Sequence, residues 1–449
     1  MKIKNEKYKK FLLSNKSNFI SYAISKLHVT YETHDKSSNL NIFSSIRNNY
    51  LNYKDLPNTD YKKKFDYDVA IISNITSLKN IRQDMYFGDL SDQLWKNNIK
   101  TLSIYRNHTK KTSLQIRGNF NRKNTILLSK RLNYFMEVFI FIKFIKEILF
   151  FIFTKKYSLI KNDLSIINFV TIIPNLRLIY QLDNIFKIYK PKSVIFTYEG
   201  HAWERLLMYL CKNYTNKVTT IAAQFSIIKK NQSGIFNKLK KNFNPDYIAT
   251  TGDLTFKEIK KKIKHSKIFK LGSSKFKKPL TKSYKTIDLL VSLDTDHKKL
   301  LSIISFCKNF ALNNRELKII LRAHPILLND NKLMSTIKKE IHLIKNIKIS
   351  TNNLIEDLKR SKYLLFTQSA ISITGLSYNV TPLFFEDKDN LNIFDYRFPK
   401  KNIIKNHQDL KLILNDKKNE KISNYFKNFR DNYFEKYQIK DLKKIIRKF

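Results

Sequence analysis

Between residues 68 and 386 the chain alternates short, almost unbroken apolar runs with longer stretches whose apolar residues recur every three or four positions. The first pattern marks strands buried on both faces, and the second marks helices that cover them. In the first half the runs lie at 68–73, 101–105, 193–198, 218–223, 247–250 and 268–271, with helical patterns at 136–153, 176–189 and 202–213. In the second half, strands at 287–293, 317–322, 347–350, 363–367 and 381–386 alternate with helices at 297–312, 331–343, 354–360 and 370–378. Such alternation predicts doubly wound parallel sheets. Residues 274–285 are basic, contain Pro279 and lack apolar periodicity, so they read as a linker. The expected fold is therefore α/β, with two Rossmann-like domains (1–273 and 286–416) facing across a cleft and a charged amphipathic helical tail at 417–449.

The stretch from Met136 to Phe153 is almost long enough to span a bilayer, but Glu137, Lys143, Lys146 and Glu147 interrupt it. Charges near mid-span cost about 2.5–3.5 kcal/mol each on insertion scales. Lys143, Lys146 and Glu147 can share one helical side and leave an aromatic face opposite. Three readings stay open here: a helix packed in the core, one lying on a membrane surface, and a span.

The chain of 449 residues carries 85 Lys and Arg against 37 Asp and Glu, a net charge of +48. Its richness in Lys, Asn and Ile is what a strongly AT-rich genome would produce. The functional alternative is attraction to anionic phospholipid, to nucleotide-sugar phosphates or to nucleic acid. The charge is spread along the whole chain and forms no basic arm, which argues against nucleic acid. Cys211 and Cys307 lie in apolar helical stretches and read as buried thiols of a reducing compartment. The first residues are too polar to lead into a signal-peptide core. The expected location is the cytoplasm, at the inner face of the cytoplasmic membrane. No metal-ligand spacing occurs, and no metal or cofactor is expected.

Chemistry concentrates where apolar runs end, the place where ligands sit in open α/β sheets. The run from Ser193 stops at Glu199-Gly200-His201, and a helical pattern follows at once through Trp203, Glu204 and Arg205. Gly200 permits a tight turn and close approach of a ligand. Glu199 is placed to deprotonate an acceptor hydroxyl. His201 is a sugar or phosphate contact or else a cap, and Glu204 is either chemical or a first-turn cap that complements the helix dipole. In the second half Arg322 and His324 share one side by strand periodicity, and Pro325 fixes the turn after them. That pair suits a phosphate or diphosphate. Thr367, Gln368, Ser369 and Ser372 form a hydroxyl-rich turn into a helix, suited to phosphate, with simple capping by Ser369 as the alternative. Glu386, at the next strand end, is a candidate for ribose hydroxyls. Asp294-Thr295-Asp296 reads as a helix cap and not a metal site. The sequence contains no GxGxxG, Walker A or GxSxG motif.

Tyr198-Glu199-Gly200-His201-Ala202-Trp203-Glu204, followed by Gln224-Phe225-Ser226, resembles a family of bacterial surface-carbohydrate biosynthesis proteins. That family has a Tyr-Glu-x-x-x-Trp-Glu run before a Gln-His-Ser-like turn; here Phe225 stands where the histidine would be. Gly272-Ser273-Ser274-Lys275-Phe276 resembles its Gly-x-x-Arg-Phe turn, with Lys for Arg. His324-Pro325 and Thr367-Gln368-Ser369 resemble the donor half of GT-B glycosyltransferases, where sialyl-, polysialyl- and Kdo-transferases set such motifs around a CMP phosphate. Asn390-Leu391-Asn392 resembles the stretch after their last donor-domain strand. The likeness covers roughly residues 190 to 395. It implies a metal-independent GT-B glycosyltransferase, with Gln224 and Ser226 on the acceptor side. The donor would be a nucleotide sugar, CMP-linked, and the acceptor a glycan or a lipid-linked molecule. Competing readings are a CDP-polyol phosphotransferase of wall polymer synthesis and a non-catalytic scaffold at the membrane surface.

Overall fold

The apolar runs become two fully parallel sheets. The computed structural model describes residues 66–75, 84–109, 116, 124–153, 167–214, 217–228, 234–236, 238–239, 241–278, 284–294, 296–324, 327–367, 369–386, 398–415 and 423–448. The first sheet holds β1 (Val69–Ile75), β2 (Thr101–Asn107), β3 (Thr125–Leu127), β4 (Ser193–Thr197), β5 (Thr219–Ala223), β6 (Tyr247–Thr250) and β7 (Lys267–Lys270). Its order is β3-β2-β1-β4-β5-β6-β7. The second holds β8 (Ile287–Ser292), β9 (Ile319–Arg322), β10 (Ile347–Ile349), β11 (Ser361–Phe366), β12 (Thr381–Phe385) and β13 (Ile403–Ile404), in the order β10-β9-β8-β11-β12-β13. Each sheet thus reverses direction once, between β1 and β4 and between β8 and β11. Those reversals place the ligand crevices of a doubly wound fold. Together the two sheets and their helices form a two-domain, GT-B-like α/β architecture.

The described helices are α1 (Leu90–Lys96), α2 (Tyr134–Phe153), α3 (Ile167–Tyr189), α4 (Ala202–Asn213), α5 (Asp253–Lys262), α6 (His297–Leu312), α7 (Asn331–Ile341), α8 (Leu354–Arg360), α9 (Ile371–Leu376), α10 (His407–Asn415), α11 (Asn424–Tyr433) and α12 (Ile439–Ile446). Every residue of β4 and β5 is buried, because helices cover both faces. Alternate residues of β1 enter different cores. Ala70 and Ile72 join the layer that includes α3 and α4, and Val69 and Ile71 join the layer that includes α1 and α12. Two details depart from the sequence reading. Helix α3 starts at Ile167 and runs through Pro174, and β3 and β13, three and two residues long, have no counterpart in the pattern.

The tail forms two amphipathic helices, and each has a defined mate. Phe426, Phe429, Tyr433 and Phe434 enter an apolar cluster with Phe366 and Phe384 of the second sheet and Ile227 of the first half. Leu442, Ile445 and Ile446 of α12 pack against Val69, Ile71 and Ile195 of the first sheet. Between these helices the chain is held by backbone pairing. Glu435 N donates to Thr251 O at 2.8 Å, Ser273 N to Glu435 O at 2.9 Å, and Gln438 N to Leu271 O at 2.7 Å. Gly272 makes this possible, with φ of +91° and no side chain to strike the Lys436 carbonyl.

A Cβ at that position meets both a strained backbone and an immovable carbonyl. Gly272→Ala is therefore expected to lower stability by about 1–3 kcal/mol, read as a shifted urea midpoint at unchanged slope. Proteolysis should then cut first within 430–440, since the pairing that fails is the one holding that segment.

Candidate active site at the strand ends

Beyond β4 the chain turns sharply at Gly200, where φ is +85°. The backbone of Gly234 lies so close that a Cβ on either glycine would overlap the other segment. Arg205, fully buried in α4, maintains that contact. Its Nη2 donates to Gly234 O at 2.8 Å and its Nη1 to Phe243 O at 3.0 Å, while the guanidinium lies 5.1 Å from the Tyr198 ring centre. Glu204 fixes the turn from the other side. Its carboxylate has no solvent exposure and accepts the backbone N–H of His201 at 2.6 Å and of Glu199 at 3.1 Å. A buried carboxylate needs a nearby cation. Arg106, near the end of β2, acts on the Glu204 carboxylate at longer range than an ion pair and lies 4.3 Å from the Trp203 ring. Desolvation pulls Arg106 down to about 10, and the charge of Glu204 acts against that fall.

With the turn so held, Glu199 and His201 meet at the sheet edge. Glu199 Oε2 lies 2.8 Å from His201 Nε2, and both side chains are partly exposed, at 28% and 39%. Around them stand groups that the sequence did not single out as site residues. The Tyr86 phenol is raised by burial and by the neighbouring charges of Glu199 and Asp84, and its ring meets Phe225 edge-on at 4.8 Å. Burial also raises Asp84, whose Oδ1 accepts Ser73 Oγ, Tyr86 N and Phe87 N, each at 2.8 Å. Lys275 donates to Phe225 O at 3.1 Å and sits 5.4 Å from the Phe434 ring centre. Desolvation lowers it to about 8, and Glu199 holds it up.

At the second sheet three neighbouring strands deliver Asp294 (after β8), His324 (after β9) and Thr367 (after β11). Thr367 Oγ1 donates to Asp294 Oδ2 at 2.8 Å. His324 is exposed, yet surrounding protein desolvates its ring enough to lower its pKa, and Asp294 pulls the other way. Asp296 caps α6 as expected, accepting Lys298 N at 3.0 Å and Lys299 N at 3.3 Å. Asp294, read from sequence as part of that cap, accepts Asp296 N at 3.1 Å through Oδ1 and bonds Thr367 at the strand ends through Oδ2. The two edges are joined through the cluster of Ile227, Phe366 and Phe384.

Several side chains expected in the cleft are engaged elsewhere. Arg322 forms an ion pair with the fully buried Asp357 of α8 at 2.5 Å and donates to Asn352 O, so it does not combine with His324. Ser372 is buried and donates to Ser369 O at 2.7 Å. The Oγ of Ser369 accepts a long 3.4 Å bond from Ile371 N. Glu386 pairs with Lys405 at 3.0 Å on the surface. Gln224 is buried, bonded through Nε2 to Ser226 O and through Oε1 to Thr251 N, and so ties two loops together. The Ser226 hydroxyl is buried and finds no partner among the described residues. Glu204 acts as the cap, the alternative the sequence left open. Pro325, Gln368 and Asn390 to Asn392 lie outside the described residues. Among the described residues no group of three or more His, Cys, Asp or Glu is arranged to hold a metal ion.

No protein-family profile and no curated protein sequence matches the chain. Solved structures resemble it at low scores. One is a UDP-GlcNAc 2-epimerase of Methanocaldococcus jannaschii in complex with UDP-GlcNAc and UDP, at 13% identity and a TM-score of 0.47, over 81% of this chain and 96% of that one. Another is a glycosyltransferase from Rickettsia africae, at 11% and 0.48, over 85% and 98%. A third is the UDP-GlcNAc 2-epimerase of Neisseria meningitidis bound to UDP-GlcNAc, at 12% and 0.48, over 85% and 100%. At these scores the fold assignment rests on the strand order itself.

Glu204→Ala removes the acceptor of the turn's N–H groups and leaves the Arg106 charge without its buried counterpart. It is expected to cost roughly 1–3 kcal/mol in denaturant unfolding. Glu204→Gln should cost less, because an amide oxygen still accepts.

Proposed function

We propose that this chain is a metal-independent glycosyltransferase of surface-polysaccharide or lipopolysaccharide biosynthesis. The observation that carries the proposal is the Glu199–His201 pair at 2.8 Å, at the β1/β4 crevice of one domain. In the other domain Asp294, His324 and Thr367 follow neighbouring strands about the β8/β11 crevice. A carboxylate–imidazole pair removes a proton well. A histidine and a hydroxyl at a sheet's carboxyl edge suit a phosphate.

In this reading the second domain holds the donor's phosphate through His324 and Ser369, and Asp294 orients the hydroxyl of Thr367. The acceptor hydroxyl enters beside Glu199 and His201. Its oxygen bonds to the anomeric carbon as the bond from that carbon to the phosphate oxygen breaks. The proton passes to the Glu199–His201 pair, and the electron pair leaves with the nucleotide. Tyr86 and Lys275 flank the acceptor side. The resemblance of the His324 and Thr367 segments to CMP-sugar enzymes supports a CMP-sugar as donor and a glycan or lipid-linked molecule as acceptor.

A thermal-shift screen against CMP, CDP, UDP, GDP and their sugars identifies the donor, because a ligand of the native state raises stability by mass action. Stabilisation by CDP-polyols with no transfer of sugar would replace this reading with the polyol phosphotransferase.

Two variants separate the domains' roles. Glu199→Gln keeps size and hydrogen bonding but cannot take the proton, so transfer should fall ~10²–10⁴-fold while calorimetric donor affinity stays. His324→Ala should weaken nucleotide binding about tenfold, as for one lost charge-assisted bond, without changing the unfolding midpoint. Near-normal turnover in the first variant, or unchanged affinity in the second, removes that residue from its role.

A further inference from the structure

Helix α2 presents to solvent the residues that an amphipathic helix ordinarily buries. Tyr134 and Phe135 are 78% and 82% exposed, and Val138, Phe141, Ile142 and Ile145 between 37% and 47%. Their spacing of three, four and seven places them along one stripe. The opposite side is the one that packs. Ile140 is fully buried in the core that includes α3, and Glu137 turns inward to pair with Arg177 of α3 at 2.8 Å. That inward turn removes the helix's first acid from the exposed face. The exposed Lys146 lies at the margin of the stripe, and Lys130 and Arg131 precede the helix. Among the described residues no helix is long and apolar enough to cross a membrane, which leaves a surface helix or one covered by a partner.

We propose that the α2 stripe docks the protein on an anionic phospholipid bilayer, with Tyr134, Phe135, Val138, Phe141, Ile142 and Ile145 inserted at the headgroup boundary. Charge decides between lipid and a second copy. The chain carries a net +48, so two copies brought together at this face repel, and an anionic surface attracts. The stripe supplies the apolar area that charge alone lacks, and the two together make the combination that holds peripheral helices at interfaces. Helix α2 begins just past the carboxyl end of β3, on the same sheet edge as Glu199 and His201. Docking there brings that edge toward hydroxyls carried at the lipid surface, a consequence that rests on the proposed transferase function; the docking itself does not.

The test uses the full chain with phosphatidylcholine vesicles and with vesicles containing phosphatidylglycerol. Cosedimentation should require the anionic lipid and weaken as salt rises, because screening shortens the reach of the attraction. Combining Phe135→Ser, Val138→Ser and Ile142→Ser should weaken it about tenfold or more. These residues are exposed, so circular dichroism should match the parent. Phe135→Trp should be quenched by brominated lipid. The proposal is overturned if the triple variant binds like the parent, since charge alone would then suffice. It is equally overturned if neither vesicle binds, or if light scattering shows a stripe-dependent dimer that does not bind vesicles. Loss of sugar transfer with vesicle binding intact would count against the enzyme reading alone.

Discussion

The geometry of the first half's cleft edge depends on one buried charge. An ionised carboxylate without water is unstable unless it is hydrogen-bonded and faces a cation. Glu204 meets both conditions through the N–H groups of Glu199 and His201 and through Arg106. The same carboxylate binds the backbone on both sides of Gly200 and so ties the turn together. The Gly200–Gly234 contact and the Arg205 brace close the remaining freedom. The Glu199–His201 pair is thereby positioned by backbone that the rest of the domain holds, and not by its own side-chain packing. Sites held within narrow limits by rigid supporting groups are the ones that perform chemistry well.

That arrangement accounts for the whole segment from Tyr198 to Arg205 as one device. Tyr198 provides the ring beside which Arg205 lies, Glu199 and His201 face the crevice, Trp203 carries Arg106, and Glu204 ties the turn. The Phe225 that stands in place of a histidine packs on Tyr86, so that position supports the site through an aromatic contact. The second half has a looser counterpart, in which Asp294 and Thr367 bond directly and His324 stays accessible.

The central strands were legible because sheets covered on both faces demand nearly continuous apolar runs, and β1, β4, β5 and β8 show them. Strands of two or three residues, such as β13 and β3, are too short to carry a period. The position of Glu199 and His201 was legible for the same reason: a strand that stops at glycine announces its own carboxyl end. Tyr86 and Arg106 were not, since each reaches the site from a distant segment and reads locally as an ordinary loop or strand-end residue, and Lys275 entered only through the likeness of its turn. Arg322 shows the opposite error. Periodicity put it beside His324, but periodicity says nothing of Asp357, 35 residues on, whose buried carboxylate captures the guanidinium. The role of Asp294 was hidden because Asp296, two residues later, satisfies the capping pattern by itself.

The imbalance of charge explains why such captures recur. With 37 acidic residues against 85 basic ones, most cations have no acid to pair with and must face solvent, where they raise the long-range positive potential of the molecule. The acids that enter the interior each do so against a cation or a set of N–H donors: Glu137 with Arg177, Asp357 with Arg322, Glu204 with the turn amides and Arg106. In the proposed transferase reading, that unbalanced field is what draws a phosphorylated donor toward the molecule over a distance. That field follows from placing few acids deep and many bases outside.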